Sequence, residues 1–249
     1  CSEKIFEKEL KKLKTKIKFQ KYENQINLRK NRVYIIDIPL KKGNLSLIKK
    51  NEYIKKSFDV GLNLLKKNNL LALINGPISK TTFLKGKYKG ITEYLAFKTG
   101  SLNEVMLIFN KELSVSPMTT HIPINKVSQK IKKEVIVKKI NNINEFYKKF
   151  LGLKPNIAVT GLNPHCETFA GKNIEKKEIL PAIKVLKRKK IKVLGPLSAD
   201  TIFLKENRKK FDVIVGMYHD QVLAPMKTIF GFDAINITIG LPFIRITPD

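Results

Sequence analysis

Only three histidines occur in the 249 residues, and each closes a hydrophobic, strand-like run. The runs begin at Ser116, Ile157 and Val213 and end at His121, His165 and His219. In open α/β sheets, ligands gather outside the carboxyl ends of the strands, where loops converge. Three imidazoles delivered there would hold a divalent metal ion and leave coordination positions for a substrate. The plainer reading is that each histidine caps a strand or hydrogen-bonds its own loop. Both readings stand on spacing alone.

Other residues of the right type lie near these runs. Lys80 follows the turn Asn75-Gly76-Pro77, where Pro77 suits a turn or a first helical position and Ser79 or Thr81 suits a cap. It is a candidate anion contact and a candidate catalytic residue, with a solvated surface lysine as the alternative. Asp220 sits beside His219 and can steer an imidazole. Asp200 is a candidate catalytic carboxylate, and a helix N-cap reads it equally well. Lys227 lies eight residues past His219. Then comes the apolar run from Asn236 to Arg245, broken by Gly240 and Pro242. Arginine is scarce here, so Arg245 stands out as a planar partner for phosphate or carboxylate.

These residues need strands to carry them and helices to cover the strands. Strand candidates are 32–38, 70–74, 105–109, 157–160, 191–194, 213–216 and 234–239; helical spacing marks 52–67, 126–149, 175–189 and 200–209. Such alternation predicts βα units and a largely parallel sheet. No Gly-x-Gly-x-x-Gly follows a strand, and no Walker-type phosphate loop is present.

Composition bounds the function. With 43% hydrophobic residues the chain can build a full core, as one domain or two lobes. No apolar run nears the ~20 residues that span a bilayer, and the first residues lead into a lysine-rich amphipathic stretch and not a secretory signal. Two cysteines, Cys1 and Cys166, make no disulfide framework, which suits a reducing cytoplasm. The first residue is not methionine, so a fragment of a longer chain is expected. Lys+Arg number 49 against 21 Asp+Glu, a formal +28. A nucleic-acid binder gains from such charge by counterion release. However, the lysines spread through the whole chain and no aromatics interleave with them as stacking would require. The field serves better to draw in anionic substrates, with no specific nucleic-acid or membrane partner expected.

From about Glu52 to Asp249 the sequence resembles the 4-hydroxythreonine-4-phosphate dehydrogenase family (PdxA). The likeness rests on seven segments in order: 75–80, 90–95, 119–123, 161–165, 195–201, 217–221 and 236–247. It implies a two-lobed α/β/α fold with a largely parallel sheet, like isocitrate and isopropylmalate dehydrogenases, with lobes 1–85 plus 225–249 and 86–224. It implies a homodimer whose active site lies at the subunit interface, using NAD or NADP and one divalent ion (Zn, Mg or Co). The implied reaction oxidises 4-phosphooxy-L-threonine and decarboxylates the product to 3-amino-2-oxopropyl phosphate, toward pyridoxal phosphate. Carried over, His121, His165 and His219 match the metal ligands, with His219 from the partner subunit. Ile91, Thr92, Lys227, Asn236 and Arg245 match substrate-binding positions.

Three departures qualify this. Ile91 stands where the family has a substrate-contacting histidine, and a polar group left buried and unpaired there costs about 1–3 kcal/mol. The loop from Cys166 lacks most of the family's glycines. The family's opening Gly-Asp-Pro-Ala-Gly and closing Asp-His-Gly-Thr-Ala segments are absent. A related substrate, such as threonate or erythronate phosphate, and a drifted, inactive binding protein are the competing readings.

Overall fold

The computed structural model describes residues 1–23, 28–40, 46–68, 70–84, 87–88, 90–101, 104–166 and 173–248, with the backbone alone at 68, 80, 81 and 248. The chain divides into two compact units, Cys1–Leu70 with Ser79–Lys85, and Leu71–Ile78 with Gly86–Asp249.

The smaller unit begins with α1 (Glu3–Lys12), acidic in its first turn and basic in its last, as the helix dipole favours. Strands β1 (Phe19–Lys21) and β2 (Val33–Ile35) pair in parallel. Phe6 of α1 meets Phe19 edge-on at 5.4 Å. Helix α2 (Leu47–Asn68) buries Phe58 and Leu65 and holds the short α3 (Lys80–Phe83). Asn51 Nδ2 donates to Thr82 O at 2.8 Å, and Phe58 stacks on Phe83.

Among the described residues of the larger unit, eight strands form one sheet in the order β3-β10-β9-β4-β5-β8-β6-β7. Their ranges are β3 Ala72–Ile74, β4 Val105–Phe109, β5 Ser114–Pro117, β6 Ile157–Thr160, β7 Val193–Leu197, β8 Val213–Gly216, β9 Ile235–Ile239 and β10 Ile244–Pro248. The pairs β3/β10, β5/β8, β8/β6 and β6/β7 are parallel; the others are antiparallel.

Alternate residues of each central strand enter different cores. Val213 and Val215, with Ile157 and Val159, pack among Ile136, Ile140 and Ile143 of α6 (Lys133–Phe146) and Ile183 and Leu186 of α7 (Leu180–Arg188). Ile214 and Ala158 face the other way, toward Ile202 of α8 (Ala199–Ile202) and Val222, Leu223 and Met226 of α10 (His219–Phe230). Helices thus cover both faces in an α/β/α sandwich, and strands buried on both sides read as unbroken apolar runs. Short helices α4 (Ile91–Thr99), α5 (Val127–Lys130) and α9 (Lys205–Arg208) complete the unit.

Strand candidates 105–109, 157–160 and 213–216 coincide with β4, β6 and β8. The run from Asn236 to Arg245 is two antiparallel strands, β9 and the start of β10, registered Arg245↔Thr238 and Thr247↔Asn236. Their pairing puts residues 225–248 in the larger unit, whereas the sequence reading grouped 225–249 with the N-terminal lobe; Asp249 lies outside the described residues.

Candidate active site

Strand order becomes residue order at one edge of the sheet. β5, β8, β6 and β7 run parallel side by side, so their carboxyl ends share that edge. His121 lies in the loop after β5, His219 opens α10 after β8, His165 sits in the turn after β6, and Asp200 lies in α8 after β7.

Hydrogen bonds tie these loops together. Met118 N donates to Gly216 O at 2.7 Å, and the buried Thr119 hydroxyl donates to Met217 O at 2.8 Å. Lys139 Nζ donates to Met118 O at 2.9 Å from beneath, where burial pushes its pKa down. His121 and His165 have φ of 28° and 53°. Side chains rarely accept this region, and strain of about 1–3 kcal/mol per residue is typically held at functional sites.

Within the chain, the rings of His121 and His219 come to 5.8 Å between centroids. His219 Nδ1 meets Asp220 Oδ1 at 2.7 Å, which leaves Nε2 to face a ligand. His165 Nδ1 lies 3.5 Å from Ser198 Oγ and 3.7 Å from Asp200 Oδ2. The Ser198 hydroxyl, followed by the His165 charge, holds the Asp200 carboxyl below its usual range. Imidazoles turned by carboxylates at Nδ1 fit a divalent cation. Among the described residues, no three His, Cys, Asp or Glu side chains of one chain gather as a metal group. The structure therefore brings two of the three histidines into ring contact and sets His165 with Asp200.

A second polar group stands on the strands. Arg245, only 6% exposed, donates from Nε to Asn75 Oδ1 at 2.8 Å and from Nη1 to Thr92 Oγ1 at 3.4 Å. Thr92 Oγ1 lies 3.4 Å from the buried Thr238 Oγ1. Asn75 is itself fixed, its N–H to Ile246 O and its carbonyl to Thr247 Oγ1. Burial lowers the Arg245 pKa and Glu93 opposes that, but a guanidinium stays charged. A buried cation held by neutral amide and hydroxyl groups suits an incoming anion.

The remaining candidates lie on α10, β9, α4 and α3. Lys227 Nζ sits 4.5 Å over the Phe232 ring. Asn236 carries a buried Oδ1 with no hydrogen-bond partner among the described residues. Ile91 is buried at the first position of α4, beside Thr92. Lys80 opens α3, and its side chain lies outside the described residues, as do 167–172 of the loop after His165. The site also uses Asn75 and Thr238, both visible in the sequence only as members of motifs.

Against known families, residues 1–249 match the model of the pyridoxal phosphate biosynthetic protein PdxA. The chain belongs to the PdxA family. It is 45% identical over 183 residues to a 4-hydroxythreonine-4-phosphate dehydrogenase of Sulfurihydrogenibium sp. (strain YO3AOP1), covering 72% of this chain and 56% of that protein. It is 35% identical over 244 residues to the Aquifex aeolicus (strain VF5) enzyme of that name, covering 94% of this chain and 74% of that one. The crystal structure of the Burkholderia phymatum 4-hydroxythreonine-4-phosphate dehydrogenase superposes with a TM-score of 0.80 at 33% identity, covering all of this chain and 78% of that one. The chain thus spans little over half the first of these PdxA relatives. Its mixed α/β fold, with a mostly parallel central sheet, is the isocitrate/isopropylmalate dehydrogenase-like fold of the PdxA enzymes.

Proposed function

We propose that the chain is the catalytic region of an NAD(P)-dependent, divalent-metal-dependent 4-hydroxythreonine-4-phosphate dehydrogenase, acting as a cytoplasmic homodimer with its site at the subunit interface. The observation that carries this is the row His121, His219, His165, Asp200 at the ends of four neighbouring parallel strands.

NAD(P)⁺ would take the hydrogen of the alcohol carbon with its electron pair, and the hydroxyl proton would leave to a base. The β-keto acid then loses carbon dioxide, and a proton takes up the electron pair left on carbon. His121, His165 and His219 would hold a divalent cation, which would supply Lewis acidity at the alcohol and carboxylate. Asp220 fixes the tautomer of His219 so that Nε2 points outward. Asp200, held low, is a weak base and serves better by orienting His165. Lys80 remains the other candidate for proton transfer. Arg245, with Thr92, binds an anionic end of the substrate, and Lys227 and Asn236 complete the pocket.

The buried Ile91 favours a second reading, a pocket reshaped for threonate or erythronate phosphate. NAD(P)H formation by the purified chain with divalent metal, on 4-phosphooxy-L-threonine and on its threonate analogue, separates the two. Faster turnover of the first is expected. Preference for the analogue would transfer the proposal to the second reading, and no turnover of either would favour a binding protein.

A further inference from the structure

Gln221 lies two residues past His219, yet its amide reaches the root of the His165 turn. Its Nε2 donates to Gly161 O at 2.9 Å. Its Oε1 accepts from the Thr160 hydroxyl at 2.9 Å and from Met217 N at 2.6 Å. One side chain on the first turn of α10 thus binds the end of β6 and the end of β8 together. Glycine makes the approach possible at both strand ends. A Cβ on Gly216 would come 2.4 Å from Val222 Cγ1 and 3.0 Å from Gln221 Oε1; one on Gly161 would come 2.7 Å from Cys166 Sγ and 3.3 Å from Glu175 Oε1.

Glu175 holds the same turn elsewhere. It is 1% exposed, and its Oε1 accepts from Leu162 N and Asn163 N, both at 2.8 Å. Its Oε2 accepts from Asn163 Nδ2 at 3.0 Å. A carboxylate is withdrawn from water only where donors replace the lost solvation, and here those donors belong to the turn that delivers His165. The turn ends in two successive residues of positive φ, His165 at 53° and Cys166 at 59°. Such backbone persists only where its surroundings over-determine it.

We propose that Gln221 is a positioning residue that holds the His165 turn in register with His219, with Glu175 bracing that turn; the inference rests on the metal-site reading above. Gln221→Glu keeps length and the two bonds to Oε1 but turns an oxygen toward Gly161 O. Glu175→Gln keeps volume and removes one acceptor.

The test is cobalt(II) binding, followed by the visible spectrum of the bound ion, in the wild type, both variants and His219→Ala. Hydrogen exchange at the amides of Leu162, Asn163 and Met217 is measured in the metal-free proteins. Wild type is expected to bind cobalt and protect these amides. Each variant is expected to bind cobalt about 10–100-fold more weakly, as changes behind a metal ligand do, with an altered spectrum and faster exchange while far-UV circular dichroism is unchanged. Wild-type affinity and spectrum in both folded variants would overturn the inference alone. Unprotected Leu162, Asn163 and Met217 amides in wild type would overturn it even if neither variant folds. A wild type that binds no cobalt would overturn the metal-site reading and this inference with it.

Discussion

At the carboxyl ends of β5, β8 and β6 the candidate groups hang on turns and a helix start, whereas Arg245 and Thr238 stand on the strands themselves. The difference shows in exposure. The side chain of His165 is 64% exposed and that of His219 35%, while the Arg245 residue is 6% exposed. It shows again in the supports. The histidine turns lean on the side-chain bonds of Thr119, Glu175 and Gln221, while Arg245 is set by strand register and by its guanidinium bonds to Asn75 and Thr92. A group that binds an anion equally before and during reaction gains from a fixed strand. Ligands that several elements must deliver to one point need loops, and loops need braces. The arginine end should therefore act on KM and the histidine end on kcat.

The largest effect expected is at the histidine end. His219→Ala should lower kcat by more than the roughly 10–100-fold typical of residues acting behind a ligand, with KM little changed, as steady-state kinetics would show. A KM effect alone would erase the contrast. Next is Arg245→Lys, which keeps the charge and loses the fork. Its KM should rise about 100-fold, on the order of 2.7 kcal/mol, within the range for hydrogen bonds to charged groups. An unchanged KM would make the arginine structural. Asn75→Ala should raise KM about tenfold, since the guanidinium keeps its strand and loses the partner of Nε. If kcat fell instead, the two ends would be coupled. The smallest effect is Ile91→His, expected to lower KM for 4-phosphooxy-L-threonine about tenfold. The same change should lower the melting temperature, because a polar ring replaces a buried isoleucine. A rise in KM would support the reshaped pocket.

The central strands were legible because burial on both faces makes them unbroken apolar runs, as in Val213–Gly216. β5 was legible only as the strand-like run from Ser116; its start at Ser114 carried no apolar signal, because Ser114 and Ser116 are buried through hydrogen bonds, to the Tyr147 hydroxyl and to Met106 O. α10 was hidden by the polar start at His219 and by Pro225 inside the helix. The three histidines were visible from their placement after strands, yet not their order across the edge, which depends on β8 lying between β5 and β6. Arg245 was singled out by scarcity. Its partner Asn75 lies 170 residues away, and no local pattern links them.

The central claim is that these histidines together hold one divalent ion on which turnover depends. The direct test is to strip the protein with a chelator, confirm that it remains folded, and follow NAD(P)H formation on 4-phosphooxy-L-threonine as zinc, magnesium or cobalt is returned. Activity should vanish on stripping, return with about one ion per site in the wild type, and fail to return in His219→Ala. Full turnover by the metal-free wild type, or by His219→Ala, would contradict the account.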